Sequence, residues 1–183
     1  MFKGPAIALL EVESIARGYL VADAVVKKAP VRLLMTEPVT PGKFLILVDG
    51  EVADVEAAYQ EGQEIAGALL LDKLFLPMAA ADLSPALRGT LPAGFIESVG
   101  VVEAQTVAAT ILSADAAMKA AQVRLVRLHL ARGIGGKGFY TVTGALDAVE
   151  AAVAAGAAVI APELLVNTEV IASPHADLAG RVR

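Results

Sequence analysis

Residues 11–33 read EVESIARGYLVADAVVKKAPVRL, and residues 103–125 read EAQTVAATILSADAAMKAAQVRL. Shifted by 92, eleven positions agree, from Glu11 with Glu103 through Ala22-Asp23-Ala24 and Lys27 to Val31-Arg32-Leu33. After a two-residue insertion the shift becomes 94. Gly42, Lys43, Val48, Gly50 and Val55-Glu56-Ala57-Ala58 then meet identical residues at 136, 137, 142, 144 and 149–152. Alanine bias produces chance matches, but not Ala-Asp-Ala, Val-Arg-Leu and Gly-Lys in order. The chain is an internal duplication, and its fold is read once and used twice.

Each copy runs through the same elements. AIALLEV (6–12) is a short apolar strand, and Ser14, like Thr106 in the second copy, suits a helix N-cap. The helix that follows carries Ile15, Tyr19, Leu20 and Val26 near helical spacing, and Pro30 marks its end. VRLLMT (31–36) is the next strand. A glycine loop then turns into FLILV (44–48), a continuous apolar strand suited to burial on both faces. Asp49-Gly50 supplies a turn before a second helix with Val52, Val55, Tyr59 and Ile65 apolar, and LLLDKLFLP (69–77) gives the last strand. The order is βαββαβ, the ferredoxin-like arrangement, in an unpermuted α+β fold repeated in tandem. The expected domains are 1–83 and 96–183, with 84–95, rich in Pro and Gly, as the linker.

Composition narrows the function classes. The apolar fraction is 56% and mean hydropathy +0.64, so extra burial through oligomerisation is expected. The longest charge-free run, AAVAAGAAVIAP from Ala151, is too short for a membrane span, which needs about 18 residues or more. MFKGPAIALLEVES carries no signal-peptide pattern, which points to a cytoplasmic protein. With no cysteine there is no disulfide framework and no thiolate metal site. A net charge of −5, three tyrosines and no tryptophan argue against a nucleic-acid surface. Of the two histidines, His129 alternates with Arg127 in a strand and reads as an outward polar side chain, while His175 reads as a surface or interface residue. No nucleophile–base pair stands out, so neither an enzyme nor a bound cofactor or metal is expected. GIGGKG (133–138) lacks the P-loop spacing and joins strand to strand rather than strand to helix. What the two loops share is a permissive backbone that allows close approach of neighbouring chains.

LLEVESIARGYLVADAVVKKAPVRLLM and VVEAQTVAATILSADAAMKAAQVRLVR both resemble the opening of a bacterial microcompartment shell domain. That family carries Ala-Asp-Ala and an edge lysine on the first helix, then a glycine-rich pore loop before its next strand. VIASPHADL (170–178) resembles the family's closing IPRPHxxL, with Ser173 in place of the arginine. Twice over and unpermuted, the resemblance is to the tandem-domain, trimer-forming shell proteins of the propanediol-utilisation type. It implies a homotrimeric, pseudohexameric tile with a central pore for small metabolites, packed among hexameric and pentameric shell tiles. Thr40, Pro41 and Gly42 would line the pore with Ile134, Gly135 and Gly136; Lys27, Lys119 and His175 would stand at tile edges. Lys43 and Lys137 would face the passage or point into the base of the loop. Some trimeric members hold an iron–sulfur cluster through a cysteine directly before Pro-Gly-Lys-Phe. Thr40 occupies that place here, so no cluster is expected. The alternative is a soluble ferredoxin-like regulatory module whose glycine loops cradle a small effector.

Overall fold

The computed structural model describes residues 4–182; the reading of the extreme N-terminus as lacking a leader falls partly outside them. Each repeat folds as βαββαβ. The first comprises β1 (Ala6–Val12), α1 (Ile15–Lys28), β2 (Arg32–Val39), β3 (Lys43–Gly50), α2 (Val52–Ala66) and β4 (Leu70–Leu76). A short helix, α3 (Leu83–Leu87), follows. The second comprises β5 (Ser98–Ala104), α4 (Val107–Ala120), β6 (Arg124–Leu130), β7 (Gly138–Gly144), α5 (Leu146–Ala158) and β8 (Leu165–Ile171), closed by α6 (Ala176–Ala179). The four-stranded sheets have matching orders, β2-β3-β1-β4 and β6-β7-β5-β8, with every pairing antiparallel.

The duplication extends to irregularities. The register slips between Leu33 and Met35 on β2, and between Leu125 and Arg127 on β6, the same two positions in each copy. Ser14 accepts from the Arg17 N–H at 3.2 Å and Thr106 from the Ala109 N–H at 3.1 Å, so both first helices start on the expected cap. They also stop at matched residues, Ala29 and Ala121, in extended backbone. β1 and β3 are buried along their whole lengths, as the unbroken apolar run of β3 requires.

The α1 face turned to the sheet is not the apolar set that stands out in the sequence. Gly18, Val21, Ala22 and Val25 are buried, whereas Tyr19 and Leu20 remain 61% and 51% exposed, with Ile15 and Val26 also exposed. Small residues win the inner face because the helix lies close to the strands: a Cβ on Gly18 would stand 2.3 Å from the Phe44 ring. In α2 the inner line is Val55, Ala58, Gly62 and Ala66, and Tyr59 instead stacks on Phe75 at 5.6 Å.

The chain divides into two compact units, residues 4–79 with Arg132–Gly136, and Ala80–Ala131 with residues 137–182. The first is built on Ala6, Ala8, Leu10 and Val12 of β1 against Val21 and Val25 of α1 and Val55 of α2. In the second, Ile111, Val149 and Tyr140 are fully buried. A further apolar cluster there joins Ile96, Val99 and Val126 to the C-terminal Ala179 and Val182. α3 belongs to this second unit, and its Leu83 is fully buried.

Candidate functional site

The two glycine loops differ in build. Between β2 and β3, the Gly42 N–H closes a turn on the Val39 carbonyl at 2.8 Å, Thr40–Pro41 is a cis peptide, and Thr40, Pro41 and Gly42 are exposed. Between β6 and β7, the Ala131 N–H closes on the Lys137 carbonyl at 2.8 Å around a wider turn. That turn needs positive φ at Gly133, Gly135 and Gly136, where a side chain would be strained.

Lys43 anchors the wider loop. Its Nζ pairs with the Glu11 carboxylate and donates to the Gly136 carbonyl at 3.0 Å, with the lysine side chain 9% exposed and that of Glu11 fully buried. Glu11 lies opposite Leu45, so Lys43 is its diagonal cross-strand neighbour on the same sheet face. Gly136 is packed so tightly that a Cβ there would come within 2.7 Å of the Thr40 carbonyl oxygen and 3.0 Å of Pro41. At the other end of the same segment, Arg132 donates to Glu37 at 2.9 and 2.6 Å. The structure thus brings Thr40, Pro41 and Gly136 together and sends Lys43 into the base. Ile134 is half-buried and Gly135 exposed. Lys137 pairs with Glu103 at 2.5 Å, and both side chains stay about one-third exposed (37% and 32%).

Lys27 and Lys119 stand in the matched last turns of α1 and α4, where positive charge suits the helix dipole. Each also reaches an aspartate four residues back at 2.6 Å: Lys27 to Asp23, Lys119 to Asp115. Asp23 is exposed. Asp115 is buried, and its second oxygen accepts the Ala80 N–H at 2.7 Å. His175 caps the four-residue α6, its Nδ1 accepting from the Asp177 N–H at 3.3 Å. His129 lies flat on Phe139 with centroids 5.3 Å apart, and the Arg127 guanidinium lies 5.2 Å from the centre of that ring. Among the described residues no group of three or more His, Cys, Asp or Glu could hold a metal ion, and no helix is long and apolar enough to cross a membrane.

Sequence reasoning missed the roles of Glu11, Glu103 and Glu37. A signal for the first two was available: both are matched acids at the end of an apolar strand, where burial demands a partner.

The BMC domain model matches residues 6–79 and again 98–174. The chain belongs to the bacterial microcompartment shell family. It is 42% identical to the bacterial microcompartment shell protein PduT of Citrobacter freundii, over 93% of each chain. Shorter similarity, 40% over 57 residues, links it to the shell protein EutK of Escherichia coli. Among solved structures, a microcompartment protein from Desulfitobacterium hafniense DCB superposes with a TM-score of 0.87 at 42% identity, covering 94% of this chain and 97% of that one. A fused permuted hexameric shell protein of the RMM microcompartment shares the fold, with a TM-score of 0.61 at 22% identity over 84% of this chain and 82% of that one. The tandem shell-domain architecture expected from the duplication is therefore what this chain has. The family is structural, and its members assemble with other shell components.

Proposed function

We propose that three copies of this chain form a pseudohexagonal tile of a microcompartment shell facet in the cytoplasm. The tile seats among hexameric and pentameric shell tiles and has no enzymatic activity. Residues 1–83 and 96–183 act as its two shell domains, with 84–95 between them. Thr40, Pro41, Gly42, Ile134, Gly135 and Gly136 line a central passage for small polar or anionic metabolites. Lys27, Lys119 and the imidazole of His175 stand at the rim, where tiles meet. The observation that carries this reading is the placing of both glycine loops in one unit, with Gly136 seated on Thr40 and Pro41 and held by Lys43. Two loops that differ in length and sequence give a threefold rather than sixfold passage, bordered by backbone and small side chains instead of large ones.

Sedimentation at micromolar concentration, followed by electron microscopy of concentrated protein, tests this. A species of three times the chain mass that grows into flat sheets or tubes is expected. A stable monomer overturns the tile, and discrete trimers that never extend overturn the rim assignment.

A further inference from the structure

Each compact unit takes in a segment of the other repeat. The first holds Arg132–Gly136, through the bond from Lys43 Nζ to the Gly136 carbonyl. The second holds the stretch from Ala80 through α3, through the bond from the Ala80 N–H to Asp115 Oδ1. In a duplicated chain, each such contact has a matched one. Lys43 matches Lys137 and Gly136 matches Gly42, so the first counterpart is Lys137 Nζ to the Gly42 carbonyl. Ile7 pairs with Leu76 as the matched Val99 pairs with Ile171, which carries Ala80 onto His175 and Ala81-Asp82-Leu83 onto Ala176-Asp177-Leu178. The second counterpart is therefore the His175 N–H to Asp23 Oδ1.

Neither counterpart is made among the described residues, and the groups concerned stand ready. Among the described residues Lys137 bonds only Glu103, and it is partly exposed. A Cβ on Gly42 would meet nothing within 4 Å, unlike its packed match Gly136. Asp23 receives Lys27 on Oδ2, as Asp115 receives Lys119 on Oδ2, but among the described residues only Asp115 has a donor on Oδ1. Around Asp23, the exposed Ile15 and Tyr19 match Val107 and Ile111, which are fully buried in the second repeat. The charges also suit each other: α1 presents Arg17 and Asp23 on its exposed surface, and the C-terminal segment presents Asp177 and Arg181.

We infer that a second copy of this chain fills both places. One protomer's Lys137 takes the Gly42 carbonyl of its neighbour, and the same protomer's His175 N–H takes the neighbour's Asp23. Both donors come from the second repeat and both acceptors from the first, so a single head-to-tail contact carries them. Such a contact closes only as a ring. The inference rests on the homotrimeric reading above and names the segments that join its protomers. It uses only the backbone of His175 and leaves the imidazole, 80% exposed in the free chain, at the rim.

The chain has no cysteine, so introduced thiols react alone. Asp23→Cys with His175→Cys, treated with a short bismaleimide, should give covalent dimers and trimers on a denaturing gel. Ala80→Cys with Asp115→Cys should take up one linker at monomer mass. Lys137→Met should raise the concentration at which the trimer dissociates by roughly tenfold or more, the size of a charge-assisted hydrogen bond. If the 23/175 pair links within one chain or not at all while the protein sediments as a trimer, the pairing is wrong and the tile stands. An unchanged dissociation concentration for Lys137→Met overturns the Lys137 contact. A wild-type chain that sediments as a monomer overturns tile and pairing together.

Discussion

The Lys-Glu pair beneath each glycine loop has the same residues, matched places in the duplication and different surroundings. Lys43–Glu11 is sealed in the first repeat, while Lys137–Glu103 is open to water in the second. Nearby positions have diverged further. Asp49, fully buried and paired with Arg32, becomes Thr143, and Arg124 turns instead to the carbonyls of Phe95 and Pro92. Ile46 becomes Tyr140, whose hydroxyl bonds Ser113 at 2.8 Å inside the core. The backbone of the duplication is kept, down to its bulges and caps, while the dielectric around matched side chains is not. A shared residue therefore does not imply a shared energetic role.

Removing the ammonium tests this most severely. Lys43→Met leaves the Glu11 carboxylate buried without its cation, which should cost about 3–5 kcal/mol of unfolding free energy. In the dissociated chain, Lys137→Met leaves a carboxylate that water can reach and should cost about 1 kcal/mol or less. Urea unfolding below the concentration at which the trimer forms measures both. Adding Glu11→Leu to Lys43→Met should recover most of the loss. Equal effects in the two repeats would break the comparison.

The core substitution is tested by alkali. Burial pushes the Tyr140 hydroxyl up to about 12, against a smaller opposing pull from the Ser113 hydrogen bond. In the unfolded chain it ionises near 10, so its contribution is intact below pH 10 and is lost as pH rises toward 12. The loss amounts to roughly 2–3 kcal/mol. Tyr59 is also raised, by burial and then by Asp72, and contributes in the same direction. Unfolding free energies between pH 9 and 12 should fall less steeply in Tyr140→Phe than in wild type. If the slope is the same, Tyr140 is reached by water and the second core is looser than its packing implies.

Much of this was legible in the chain. The repeat, the strand and helix order, both N-caps and the buried run of β3 follow from local patterns that tertiary packing did not overrule. The inner face of α1 was not legible, because Gly18 and Ala22 lie at helical spacing as well as the larger Tyr19 and Leu20 do. The choice depends on how close the helix sits to Phe44. Lys43 also escaped, since facing the passage and pointing into the base are equally compatible with Gly-Lys. The decision comes from cross-strand register, which sets it diagonally beside Glu11.

The smallest expected effect on stability separates the two helix-end lysines, and it bears on assembly. Lys27 and Asp23 are both solvated, so Lys27→Met should leave the unfolding midpoint unchanged within error, as most exposed ion pairs do. Asp115 has a side chain only 7% exposed, so Lys119→Met should cost roughly 1 kcal/mol even though the Ala80 N–H remains as a partner. The rim assignment predicts something stability does not register. With both lysines changed to aspartate, the trimer should persist in sedimentation while sheets disappear from micrographs, because like charges would meet along every seam. Sheets that survive the double change would reduce both residues to helix-end cations. The comparison between the repeats would then concern folding alone.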